Sequence, residues 1–474
     1  MRVLLVKPQS NSDSIQPILG LGYLAAQLKK NQEVKILDCI KEKLPPSKFK
    51  RFIYDYNPEV VGIQSLTTDL KLVNDYLATI KKFNSNIITI IGGPHPSSAG
   101  AAALLDFPQA DFAFQGEAEI GLPQLLTELE AQRSKLKGQG SPFTFHLSPL
   151  TRKEIPGLIY RSGNEIETNP PLFYDNLDDF GFPAWDLIQP QDYPPAPHGG
   201  FFRQFPVAPL NISRGCPCDC SFCSVNKISG KKIRYRNLES VIEEIRLLQN
   251  RHHVKEIHII DDNFTWDRPF VLRFCDALIK NNLALSWTCP NGVRVDTLDR
   301  ELLKAMKKAG CYSLSVGIES GSDHILQYLK KNISRDYIKS KIDLIKDARM
   351  DAIGFFILGF PSETKEDMLN TIQFSLALGL KRAQFILFHP FPGSEIYGQL
   401  NLPLENKNNH SSSSTYADPA FVPVGISIPE LKNIQRSAFL KFYLRPKAFL
   451  SLIAGIKSMR HLLYLLKRIK RWLL

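Results

Sequence analysis

Two α/β units in series, a doubly wound parallel sheet and then a partial (β/α)6 barrel, with a helical tail, are what this 474-residue sequence predicts. Three observations carry that expectation. Strand-like apolar runs alternate with helix-period segments through the first 130 residues, six further runs alternate in the same way after residue 208, and a proline-rich stretch separates the two series. The length allows roughly three units at about 150 residues each.

In the first unit, residues 1–138, strands are expected at 2–7, 33–37, 59–64, 86–91 and 111–115, with helices at 19–29, 70–82 and 119–131. Five βα units of this length describe a flavodoxin-like sheet, which binds ligands beyond the carboxyl ends of its strands. No G-x-G-x-x-G follows the first strand, which disfavours a nicotinamide or flavin dinucleotide. The loops instead offer Gly20, Gly22 and Tyr23, then Ser65 and Thr67, then Gly92, Gly93 and His95, then Gly116 and Glu117. Small residues at strand ends let a large flat ligand approach the backbone, and the two hydroxyls can bond to it.

Residues 139–207 read as an irregular connector, stiffened by nine prolines between 170 and 209. The barrel, 208–400, has strands expected at 208–213, 256–260, 285–289, 313–317, 353–358 and 383–388. Helices come between them; Leu238, Val241, Ile242, Ile245 and Leu248 share one helical face. Parallel strands joined by helical crossovers curl right-handedly, and chemistry gathers at their carboxyl ends. At those ends stand Asp261, Asp262 and Asn263 after the second strand, Glu319, Ser320 and Gly321 after the fourth, and Gly359 with Glu363 after the fifth. Helix capping by Asp262 or Asn263, and turns at Gly321 or Gly359, are the plain alternatives.

After the first barrel strand comes Cys216-Pro-Cys218-Asp-Cys220-Ser-Phe222-Cys223. Cys216, Cys220 and Cys223, in C-x3-C-x2-C spacing, can hold three irons of a cubane cluster and leave the fourth open. Structural zinc takes two separated C-x2-4-C pairs, and the next cysteine is as far away as Cys275. Eight cysteines are too sparse for a disulfide framework. Cys218 reads as a bystander, and Cys39, Cys275, Cys289 and Cys311 as ordinary buried thiols.

The cysteine spacing, with its C-x-F-C ending, resembles the signature of the radical S-adenosylmethionine (radical SAM) superfamily. The preceding loop set resembles the cobalamin-binding domain found ahead of the barrel in cobalamin-dependent members. The resemblance implies a [4Fe–4S] cluster, S-adenosylmethionine (SAM) and cobalamin as cofactors. It implies Asp261 or Asp262 near the SAM amino group, Glu319 and Ser320 near its carboxylate or ribose, and the strand ending at Gly359 near the adenine. Many family members carry Gly-Gly-Glu where this chain has Asp-Asp. Arg294 is either a partner of the SAM carboxylate or a surface arginine. For cobalamin the resemblance implies Gly20, Tyr23, Ser65, Thr67, Gly92, Gly93, His95, Gly116 and Glu117. The D-x-H-x-x-G motif is absent and residues 8–17 contain no histidine, so His95 is either a lower ligand of cobalt or a structural hydrogen-bonding residue.

The activity implied is methylation of an unactivated carbon of a small-molecule or lipid substrate, with electrons from a flavodoxin or ferredoxin. One SAM supplies the methyl group through cobalamin, and a second is cleaved to the 5′-deoxyadenosyl radical. Cobalamin-assisted cyclisation or rearrangement is the alternative enzyme; a non-catalytic iron–sulfur carrier or sensor is the alternative of another class. Methylthiolation of tRNA would need further cysteines in the first unit.

The remaining segment, 401–474, comprises an expected mobile excursion at 402–415 and a basic amphipathic helix. From 430 onward eleven Lys or Arg face one acid. Phe449, Leu452, Ile453, Ile456, Met459, Leu463 and Leu466 share a face, interrupted elsewhere by Lys457, Arg460, Lys467, Arg468 and Arg471, and Trp472 ends it. No stretch has the ~18 uncharged apolar residues of a membrane span. A helix at 446–474 therefore lies either on an anionic membrane surface or on the barrel. Nucleic acid is not an expected partner, since the basic residues come without stacking aromatics. Residues 1–8 read as a strand rather than a signal peptide. Sparse cysteines and an oxygen-sensitive cluster point to the cytoplasm, with peripheral contact at the inner membrane face.

Overall fold

The computed structural model describes residues 1–10, 15–136, 149–195, 201–400 and 419–473. Its first sheet contains β1 (Arg2–Lys7), β2 (Glu33–Asp38), β3 (Val60–Gln64), β4 (Ile88–Gly92) and β5 (Phe112–Phe114). They are parallel, in the order β2-β1-β3-β4-β5, with Val3 opposite Val60 and Val60 opposite Ile88. Such strands are covered on both faces, which is why Val3 to Val6 are all buried.

Two more strands extend this sheet. β6 (Leu158–Ser162) pairs antiparallel with β5, and β7 (Glu165–Thr168) antiparallel with β6. They lie inside the stretch read from sequence as irregular. The signal was the two-residue Gly163-Asn164 turn, with Gly163 at φ +60°. The connector beyond is pinned to the barrel, where Trp185 Nε1 donates to Glu244 Oε1 at 2.8 Å.

The second sheet begins with β8 (Val207–Leu210). A ribbon of β9 (Ser213–Arg214) and β10 (Arg234–Tyr235) brackets the cysteine loop. Then come β11 (Glu256–Ile259), β12 (Ser286–Val293), β13 (Cys311–Glu319), β14 (Asp351–Leu358) and β15 (Arg382–Leu387). The six main strands are parallel in chain order, β8 to β15. Side-chain caps at Asn237, Asp267, Asp299, Ser334 and Thr364 start five of the covering helices. Neither Asp262 nor Asn263 is a cap. The barrel is not closed, since β15 does not pair with β8. The helix Ile428–Tyr443 covers the exposed edge instead: Tyr443 OH donates to Ala383 O at 2.7 Å and Gln435 Nε2 to Phe385 O at 2.8 Å.

The tail differs from the single expected helix. It forms Pro446–Ala454 and Met459–Leu473, parted at 455–458. The expected excursion at 402–415 and the side chains of Lys467, Arg468, Arg471 and Trp472 lie outside the described residues. Among the described residues no helix is long and apolar enough to cross a membrane.

Candidate functional site

The cysteine loop leaves β9 through Gly215, at φ +99°, where a Cβ would stand 2.3 Å from Lys232 O. Only glycine fits there. The loop is tied down along its length: Cys216 N donates to Gly230 O, Ser221 N to Leu329 O, and Ser221 Oγ to Tyr328 O. Phe222, the aromatic of the motif, meets Phe360 at the end of β14 with ring centroids 6.0 Å apart. Cys216 is buried, Cys220 and Cys223 are half-buried, and all are free thiols. Among the described residues no three metal-ligating side chains converge as they would on a single ion. A cubane's thiolates sit on separate irons and need not converge, so three free thiols on one braced loop fit a cluster.

Two cations accompany them. Arg294 Nη1 lies 3.7 Å from Cys220 Sγ, and Arg294 Nη2 donates to Lys331 O at 3.0 Å. Arg294 is thus at the site and not on the open surface. A bulge brings it there: β12 continues past Cys289 through a register shift to Val293, with Gly292 at φ +100°. Lys331, buried, binds Glu319 Oε1 at 3.0 Å. Glu319 holds φ +66° beside a second bulge, a costly conformation for a glutamate and one that gathers at functional sites.

The structure separates the residues expected around SAM. Asp261 is spent on the fold: it accepts from Ile212 N at 2.8 Å, Ser213 N at 2.8 Å and Ser213 Oγ at 2.7 Å, and burial pushes its carboxyl up to about 7. Asp262 is the one that faces open space, accepting from Gly215 N at 3.2 Å. Ser320 is fully buried against Thr371 Oγ1 at 3.2 Å, a packing role. Gly359 N donates to Glu363, whose Oε1 is buried without a partner. Asn263, buried, has neither end of its amide satisfied. Orphaned polar atoms at the ends of β11 and β14 suit a polar ligand between them.

Between the two sheets lies a cavity of about 350 Å³. Gly20, Tyr23, Gly92, Gly93, Gly116 and Glu117 line it from the first sheet, and Arg214, Ile260 and Asp262 from the barrel. A Cβ at Gly20 or Gly92 would meet nothing within 4 Å, so both backbones are bare toward the space, as a broad flat ligand requires. Ser65, Thr67 and His95 do not line it. His95 is buried, its Nδ1 3.2 Å from Thr67 Oγ1 and its Nε2 3.0 Å from Asp106 Oδ2. These three residues stand outside the cavity, and both ring nitrogens of His95 have protein partners. Glu117 lines the cavity but gives its carboxylate to Arg234 and Arg214. Those arginines were missed in the sequence, because nothing local marks a residue that pairs across 117 positions.

Residues 210–375 match the family model described as Radical SAM superfamily, and residues 10–126 that of the B12 binding domain. An uncharacterized methyltransferase of Pyrococcus horikoshii is 31% identical over 95% of this chain and 94% of its own length. The anaerobic magnesium-protoporphyrin IX monomethyl ester cyclase of Rubrivivax gelatinosus is 26% identical over 95% of this chain and 78% of its own. The radical S-adenosylmethionine methyltransferase TsrM of Kitasatospora setae, solved with cobalamin and a [4Fe-4S] cluster bound, superposes with a TM-score of 0.64. It is 19% identical, over 83% of this chain and 76% of that one.

Proposed function

The chain belongs to the radical SAM superfamily and carries a B12-binding domain ahead of its barrel, and from this premise we propose that it methylates a carbon of a small-molecule substrate. Its cofactors are a [4Fe–4S] cluster, SAM and cobalamin. When bound, they supply reductive cleavage of SAM and a methyl carrier. One observation carries the reading: the glycine-lined cavity of the first sheet is walled on its other side by Asp262 and Arg214, which flank the cysteine loop, and this supports a corrinoid site next to the cluster site.

In this reading Cys216, Cys220 and Cys223 hold the cluster, and Arg294 and Lys331 offset the charge of the thiolates. Asp262 and the Glu319–Lys331 pair position SAM, with Asn263 and Glu363 offering polar contacts. Gly20, Gly92 and Gly93 let the corrinoid close on the backbone, and Tyr23 borders it. The apolar and basic surface of the tail supports peripheral contact with the cytoplasmic face of a membrane.

Anaerobically reconstituted protein turned over with SAM and candidate substrates tests the proposal. Methylation yields both 5′-deoxyadenosine and S-adenosylhomocysteine. The cyclase relative supports a second reading, cyclisation, which yields 5′-deoxyadenosine alone.

A further inference from the structure

A second cavity, of about 360 Å³, occupies the other end of the barrel. Its strand-borne lining runs from the amino-terminal ends of the strands to their middles: Thr288 of β12, Tyr312 and Ser315 of β13, Phe355 of β14, and Arg382 and Gln384 of β15. The cysteine loop lies at the opposite, carboxyl ends. Where strands are missing between β15 and β8, the wall is helical and apolar, with Leu440, Leu452 and Leu465 facing inward. Phe449, Ile453 and Leu466 also line the cavity yet remain 50%, 51% and 49% exposed. They form a mouth between the two tail helices and the barrel. A large apolar chamber opening through an apolar mouth takes an apolar ligand.

One charge breaks this apolar lining. Arg382 lies over the ring of Phe201, 3.6 Å from its centroid, and its Nε is buried without a hydrogen-bond partner. Among the described residues no carboxylate pairs with it. The nearby Asp351 is 3.4 Å from Lys381. Glu256, buried beneath, is filled by Arg203 N, Gln204 N, His258 Nε2 and Tyr312 OH at 2.6–2.9 Å. A guanidinium held in an apolar chamber with no carboxylate in direct contact is costly, and a ligand anion bonded to it lowers that cost.

We propose that this chamber binds the substrate, an amphiphile with an apolar body and one anionic group. The anion pairs with Arg382, and the body lies in the lower lumen directed toward the cysteine loop. This inference rests on the methyltransferase reading for the word substrate, and on the cavity alone for the chemistry of the ligand.

The test is equilibrium binding of dodecyl phosphate and of dodecanol, each below its aggregation threshold, to the full-length protein with its cluster. Wild type is expected to bind dodecyl phosphate about tenfold or more tighter than dodecanol, the worth of one charge-assisted contact. Arg382→Gln should erase that difference and keep dodecanol binding. Ser315→Phe, which fills the lumen, should weaken both probes while leaving the melting temperature near that of wild type. Equal affinity of wild type for the two probes, an unchanged preference in R382Q, or no saturable binding of either probe would each overturn the inference. SAM cleavage and cobalamin retention are read in the same samples. Their loss with intact probe binding sinks the methyltransferase reading alone, and their presence without probe binding sinks this one alone.

Discussion

Arg234 and Glu117 join the two domains through a double hydrogen bond, Nη1 to Oε2 at 2.8 Å and Nη2 to Oε1 at 2.6 Å, with both side chains buried. Removing one member of such a pair strands the other. Glu117→Gln should lower stability by about 3 kcal/mol and weaken cobalamin retention. Calorimetry and the visible spectrum after desalting measure the two effects; an unaltered melting transition would show that the domains do not depend on this pair.

The four cysteines of the loop should sort into three and one. Cys216→Ala, Cys220→Ala and Cys223→Ala should each lose the [4Fe–4S] signature and 5′-deoxyadenosine formation. Cys218→Ala should retain iron and turnover. Iron content per chain with product analysis decides it, and loss of iron in C218A would move the ligand set.

His95→Ala breaks contacts to Thr67 and Asp106 within a buried cluster. It should cost about 1–3 kcal/mol of stability while bound cobalamin keeps its absorption spectrum. A shifted cobalt spectrum with undiminished stability would make His95 the lower ligand after all.

Glu363 gives a pH dependence of defined sign. Burial pushes its carboxyl up to about 8 from an ordinary 4.5. The folded state therefore takes up the proton more readily than the unfolded one, so stability from this group is present below pH 4.5 and is lost as pH rises through 8. Glu363→Gln should flatten the fall in melting temperature between pH 5 and pH 8. Parallel curves for the two proteins would refute the assignment.

At the tail, Leu450, Met459 and Leu463 are exposed beside Lys457 and Arg460. Lys457→Glu with Arg460→Glu should reduce sedimentation with anionic liposomes severalfold and leave neutral liposomes unaffected, at about 1 kcal/mol per basic residue near the surface. Sedimentation equal to that of wild type would remove the membrane from the picture.

What could be read from the sequence was whatever is local or periodic. Apolar runs located all the parallel strands, and C-x3-C-x2-C located the cysteine loop. Arg294 stayed ambiguous because its place depends on a bulge at Pro290–Gly292 that no periodicity announces. Asp261 and Asp262 look alike in a row of acids, yet one ties β9 to β11 and the other faces the cavity. The hairpin at Gly163 gives no clear periodic signal, because its strands are short and half polar. His95 drew attention as a lone histidine between prolines, whereas its partners, Thr67 and Asp106, are distant in the chain.

The unpaired seam between β8 and β15 separates two kinds of inheritance. Substitutions at Leu440, Leu452 or Leu465 can reshape the lower chamber without disturbing any ladder hydrogen bond or the loop of Cys216. The end of the barrel that carries the cysteine loop and the end that holds the apolar chamber can therefore vary independently, the chamber changing shape while the loop keeps its bracing.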